Sequence, residues 1–103
     1  MLFRVREAAG TPYRAGTWIS AQGQTQVLQG EQIQLQALAW SKQDNGVEMP
    51  TRWRVQVPSQ GVDVQVDALE PKAWMHTSFP YWEGPVRISG SVGGRGYLEM
   101  TGY

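Results

Sequence analysis

The sequence predicts an all-β fold of short antiparallel strands, and three observations carry that prediction. Apolar and polar residues alternate with a period of two through run after run, the signature of a half-buried strand. Turn-forming residues separate the runs at short spacing: Ala9-Gly10-Thr11-Pro12, Gln22-Gly23, Gln29-Gly30, Asp44-Asn45-Gly46, Pro58-Ser59-Gln60-Gly61, Glu70-Pro71 and Gly93-Gly94. No stretch shows the i, i+3, i+4 apolar spacing of a packed helix. Seven to nine strands joined this closely form a sandwich or a barrel.

Leu2-Phe3-Arg4-Val5-Arg6 mixes apolar and basic residues at strand spacing from the second position. Gln32-Ile33-Gln34-Leu35-Gln36 alternates strictly, with Ile33 and Leu35 on one face. Arg52-Trp53-Arg54-Val55-Gln56-Val57 places Trp53, Val55 and Val57 together. The run 62–68 is the clearest, with Val62, Val64 and Val66 inward and Asp63, Gln65 and Asp67 outward. Val86-Arg87-Ile88-Ser89 and Tyr97-Leu98-Glu99-Met100-Thr101 complete the set. Asn45-Gly46 predicts a hairpin because both residue types tolerate positive φ, and Gly93-Gly94 predicts a second. Pro85 lacks a backbone donor, so it predicts an edge strand or a bulge, with Gly84 favouring the bulge.

Composition narrows the function. The 103 residues amount to one domain, residues 1–103. Nine Lys+Arg balance nine Asp+Glu, which argues against nucleic acid or an anionic membrane as partner. The absence of cysteine removes disulfides, zinc–thiolate sites and thiol catalysis. No run reaches the ~18 apolar residues of a membrane span. The single histidine, His76, has no second histidine or acidic cluster beside it, so neither a metal nor another cofactor is expected. Gly90-Ser91-Val92-Gly93-Gly94-Arg95-Gly96 is glycine-rich but lacks the Gly-Lys-Ser/Thr ending of a phosphate loop, and reads as a tight turn.

Two constellations remain. Five tryptophans, four tyrosines and two phenylalanines are a large aromatic share for this length. Such rings fill a thin core or line a pocket for an apolar ligand. Trp53, Trp74, Tyr81, Trp82 and Tyr97 are the candidate lining. Glu83 and Glu99 each lie in an aromatic segment of low charge, and a hairpin at Gly93-Gly94 would bring them together. Paired carboxylates serve general acid/base chemistry, whereas carboxylates paired with Arg87 or Arg95, or facing water, do not. They are the only catalytic candidates, for a hydratase or hydrolase.

The segment Tyr81-Trp82-Glu83-Gly84-Pro85-Val86-Arg87-Ile88-Ser89-Gly90, followed by Gly94-Arg95-Gly96-Tyr97-Leu98-Glu99-Met100-Thr101-Gly102-Tyr103, resembles the C-terminal signature of the lipocalin-like AttH/CrtC family. That family includes secreted hydrolase-like proteins and carotenoid 1,2-hydratase (hydroxyneurosporene synthase). Leu2-Phe3-Arg4-Val5-Arg6, Gly16-Thr17-Trp18-Ile19 and Met49-Pro50-Thr51-Arg52-Trp53 match more loosely. The resemblance implies a lipocalin-like antiparallel β-barrel, partly open because strands upstream of Leu2 are missing. It also implies a companion N-terminal lipocalin-like domain and an exported or periplasmic full-length protein. Unpaired edges would invite a homodimer or be capped by the chain's own loops. The His-x-Trp motif associated with the hydratase has no counterpart, because Thr77 and Ser78 follow His76. The expectation is therefore a non-catalytic module that encloses an apolar, lipid- or isoprenoid-like ligand. A hydratase or hydrolase, or a purely structural domain, are the alternatives.

Overall fold

The computed structural model describes residues 1–103. Nine strands form two sheets, and every pairing is antiparallel. β1 (Leu2–Val5), β2 (Tyr13–Ile19) and β3 (Thr25–Leu28) make a three-stranded sheet in that order. A single 3-10 turn over Gly30–Gln32 leads into the second sheet. That sheet contains β4 (Gln34–Lys42), β5 (Glu48–Val57), β6 (Val62–Ala68), β7 (Trp74–Met75), β8 (Tyr81–Gly90) and β9 (Gly94–Met100). β6 and β7 share one edge of β8, and β9 takes the other. No strand of one sheet pairs with a strand of the other, so the two sheets do not close into a barrel. No helix is long and apolar enough to cross a membrane.

The alternation holds in the ladders. Trp53, Val55 and Val57 of β5 stand opposite Val66, Val64 and Val62 of β6, so their shared face is apolar. On the other face Arg54 donates to Asp63 at 2.9 and 3.0 Å, and Arg52 donates to Asp67 at 2.6 Å. Only 14 of the 103 residues are buried, which fits two sheets that meet without closing. The core splits accordingly. Met49, Trp53, Trp82 and Met100 form one cluster within the large sheet. Leu28, Ile33 and Val57 form another, where the small sheet joins the large one.

One turn and one strand proline differ from expectation in detail. The β4–β5 hairpin forms at Asn45-Gly46, but only Gly46 takes a positive φ, of +87°. The Asn45 side chain instead accepts the Val47 amide at 3.0 Å. Pro85 lies in neither an edge strand nor a break in the β8–β9 register, since β8 is internal and pairs continuously with β9. Its carbonyl accepts from Leu69, where the chain leaves the sheet between β6 and β7. The missing proline donor therefore falls at a gap that needs none. The register shifts lie instead in the β4–β5 ladder, at Leu38 of β4 and Thr51 of β5.

The outer face of the β5–β6 ladder sets an acid dependence. The Arg54 guanidinium bonds Asp63 and holds its carboxyl below the usual carboxylate range. Asp67 is lowered chiefly by hydrogen bonds from Gln65 and then Arg52. A depressed folded-state pKa stabilises above the unfolded value of about 3.9 and ceases to do so as pH falls through the folded value. The thermal midpoint is thus expected to fall as pH drops below about 4. Asp67→Asn should be less stable at neutral pH and should lose part of that acid dependence. Thermal melts across the acid range check this, and an unchanged acid slope in the variant would refute it.

Candidate functional site

Strand alternation builds an apolar trough between the two sheets. Its floor carries Trp53, Val55, Val64, Val66 and Ile88, and the small sheet contributes Leu2, Trp18 and Leu28. The volume is about 570 Å³, and the trough is bordered by both β1 and β9, which do not pair with each other. Eighteen of its 22 lining residues are hydrophobic; the others are Arg4, Thr17, Gly96 and Glu99. A concave, mostly apolar surface with a few polar groups is the usual make-up of a small-molecule site, and the volume lies within the common range of roughly 300–1,000 Å³.

The candidate lining residues divide between the trough and the core beside it. Trp53 is 7% exposed, borders the trough and donates its indole N–H to the Pro50 carbonyl at 3.2 Å. Tyr97 borders the trough from β9 and is 67% exposed. Trp82 is fully buried in the Met49–Met100 cluster and does not reach the trough. Its indole N–H donates to the Pro71 carbonyl at 3.0 Å. Trp74 stands opposite Trp82 in the β7–β8 ladder and packs against the same cluster. Tyr81 lines a separate shallow hollow with Thr77, Ser78, Phe79 and Pro80.

The hairpin sets the two glutamates opposite each other in the backbone register. Glu83 and Glu99 are direct partners in the β8–β9 ladder, with Pro85 and Tyr97 next along the same face. That face points away from the core, since the alternate positions hold Trp82, Val86 and Met100. The Tyr97 hydroxyl donates to Glu83 at 3.1 Å. The carboxylate of Glu83 pushes the phenols of both Tyr97 and Tyr81 up, by hydrogen bonding first. His76 is exposed in the loop after β7, and no three His, Cys, Asp or Glu side chains gather that could hold a metal.

Arg4 is the feature that the sequence reading missed. β1 alternates in the reverse sense to its apolar residues: Phe3 and Val5 face outward, and Arg4 faces the trough. Its guanidinium lies 4.9 Å from the Trp53 ring centroid and 3.4 Å from the Leu35 carbonyl. The available signal was the pair Arg4 and Arg14, which occupy one face of the β1–β2 ladder with Leu2 and Gly16.

A structural comparison pairs the chain with the crystal structure of an AttH-type protein from Nitrosomonas europaea. The TM-score is 0.85 at 23% identity, over 99% of this chain and 34% of that one. At that identity the likeness shows the fold, and the chain spans about a third of the length of its match. No curated protein matches the chain significantly. A family profile described as AttH-like matches residues 1–103. The chain belongs to the AttH-like family.

Proposed function

We propose that this domain is a non-catalytic module that encloses an apolar, lipid- or isoprenoid-like molecule in the trough between its two sheets. The observation that carries the reading is the trough itself, with apolar side chains on 18 of its 22 lining positions. Exposed apolar surface of this extent marks binding sites more often than bare solvent-facing surface. Trp53 on the floor and Trp18 on the small sheet are the aromatic contacts, while Tyr97 borders the edge with its hydroxyl turned to Glu83 on the outer face. Trp82 and Trp74 act from beneath by holding the sheet. Glu83 does not line the trough, and Glu99 borders only its edge from a ladder position that faces away from the core, a placement that favours binding over hydration or hydrolysis.

The outer face of the small sheet supports a companion domain. Phe3, Val5, Tyr13, Ile19 and Val27 are all exposed there, and the Phe3 and Tyr13 rings touch at 6.0 Å between centroids. A sheet face of this kind requires cover, and a preceding lipocalin-like domain is the cover we assign.

Titration of the chain with N-phenyl-1-naphthylamine, a neutral apolar fluorophore, tests the ligand reading. Saturable binding at one site is expected, with Trp53 emission changing in step. Val55→Trp, which fills the trough, should weaken binding by about tenfold or more. Unsaturable binding, or full affinity in that variant, would overturn the reading.

A further inference from the structure

We infer that the trough is shaped for a single-chain amphiphile with a carboxylate head, the head against Arg4 and the tail along the valine floor. This deepens the apolar-ligand reading and rests on it. Arg4 is the only cationic side chain among the residues that line the trough, and the Met1 ammonium there donates to the Thr17 carbonyl at 2.8 Å. Arg4 is not neutralised by the protein: the three salt bridges of the chain use Arg52, Arg54 and Lys72. A guanidinium carries five N–H donors in a planar fork. The one protein acceptor within bonding range of Arg4 is the Leu35 carbonyl, at the long distance of 3.4 Å. The Arg4 Cζ lies 4.9 Å from the Trp53 ring centroid, a cation–π contact that uses no N–H donor as a hydrogen bond. The other N–H donors have no protein acceptor, and a carboxylate matches the guanidinium fork with two parallel bonds.

The surroundings set where the head and tail lie. A second cavity of about 540 Å³ adjoins the trough, with Arg4, Glu99 and Met100 lining both. Arg6 lines that second cavity, but it is already engaged. Its Nη2 donates to the carbonyls of Thr101 and Gly102 at 3.0 and 2.8 Å, and its guanidinium lies 3.5 Å from the Tyr103 ring centroid. Arg4 is therefore the free cation at the junction of an apolar chamber and a polar, solvent-reaching one. Glu7 and Glu99 border the polar side and form no salt bridge with either arginine. Their charge disfavours a head with two negative charges and leaves room for one. A neutral isoprenoid or alcohol would occupy the same chamber but leave the Arg4 fork without its match.

Competition against bound N-phenyl-1-naphthylamine tests this on the full chain, at about pH 8 where a carboxylic acid is ionised. The competitors are hexadecanoate, hexadecanol and acetate. Charge-assisted hydrogen bonds lead us to expect hexadecanoate to displace the probe at least about tenfold more tightly than hexadecanol. Acetate, lacking the tail, should not displace it. Arg4→Met should bring the acid-to-alcohol ratio to near one, and Arg4→Lys should restore part of the preference. Arg95→Met, which removes a charge from the outer face, should keep the wild-type ratio. Equal displacement by acid and alcohol in the wild type, or a preference that survives Arg4→Met in a variant with native circular dichroism, overturns the proposal. Failure of the probe and of every long-chain competitor to bind would instead overturn the apolar-ligand reading beneath it.

Discussion

Trp82→Ala is expected to destabilise the domain by about 3–5 kcal/mol, the range for removing a large ring from a closed core. Trp82 is 0% exposed and lies among Met49, Trp53 and Met100, the main cluster of the large sheet. Few other residues can compensate, because the two small clusters hold most of the buried apolar side chains. The indole also ties down a loop. Its N–H shares the Pro71 carbonyl with the Gln43 amide, at 3.0 and 2.9 Å, and so anchors the chain between β6 and β7. Gly84, two residues on along the same face, has no Cβ, and one placed there would meet the ring at 3.2 Å. A domain of this size has a total stability of about 5–15 kcal/mol, so the variant should be largely unfolded in mild urea. Trp82→Phe keeps most of the ring but loses the bond to Pro71, and should lose about 1–2 kcal/mol. Urea titration followed by far-UV circular dichroism separates the two. A loss below about 1.5 kcal/mol for the alanine variant would mean that this side chain does not anchor the core.

The strands were legible because a half-buried sheet writes its period directly into the sequence. The valine face at 62–66, the hairpins at Gly46 and Gly93, and the pairing that brings Glu83 opposite Glu99 all follow from local spacing. What local spacing does not encode is which face of a strand meets which neighbour. β1 shows this, since its apolar Phe3 and Val5 point outward and its Arg4 points into the trough. Pro85 shows it again. A missing donor is harmless in an internal strand when the neighbouring edge is interrupted, and that interruption is a property of β6 and β7. The tryptophans divide on the same principle. Trp53 shares a face with the valines and belongs to the core, as its own run indicates. Trp40 is 55% exposed because the alternation of β4 runs unbroken from Gln34 to Lys42 and sets it on the outer face with Gln36 and Leu38.

Gly90→Ala is the second substitution expected to be severe, at about 2–5 kcal/mol, from a strained φ together with a steric clash. Gly90 ends β8 opposite Val64 of β6 with a φ of +132°. A Cβ there would lie 2.6 Å from the Asp63 carbonyl oxygen and 3.0 Å from the Val64 Cα. Both are backbone atoms of β6, so no rotamer change relieves the contact. The same Asp63 residue is held on two sides. Its carbonyl accepts the Ser91 amide at 3.0 Å, and its amide donates to the Ser91 hydroxyl at 2.9 Å. Separating β6 from β8 would therefore break a corner as well as open a ladder. Gly46→Ala isolates the conformational part, because Gly46 has a φ of +87° with open space where a Cβ would go. That variant should lose only about 1–2 kcal/mol, the penalty for a left-handed residue with a side chain. The difference between the two measures how tightly β8 is drawn onto β6. Val64, Val66 and Ile88 of that seam also floor the trough, so Gly90→Ala should weaken N-phenyl-1-naphthylamine binding in the fraction that remains folded, whereas Gly46→Ala should not. Equal losses of stability in the two variants would show that the close approach of β8 to β6 is not what requires glycine at position 90.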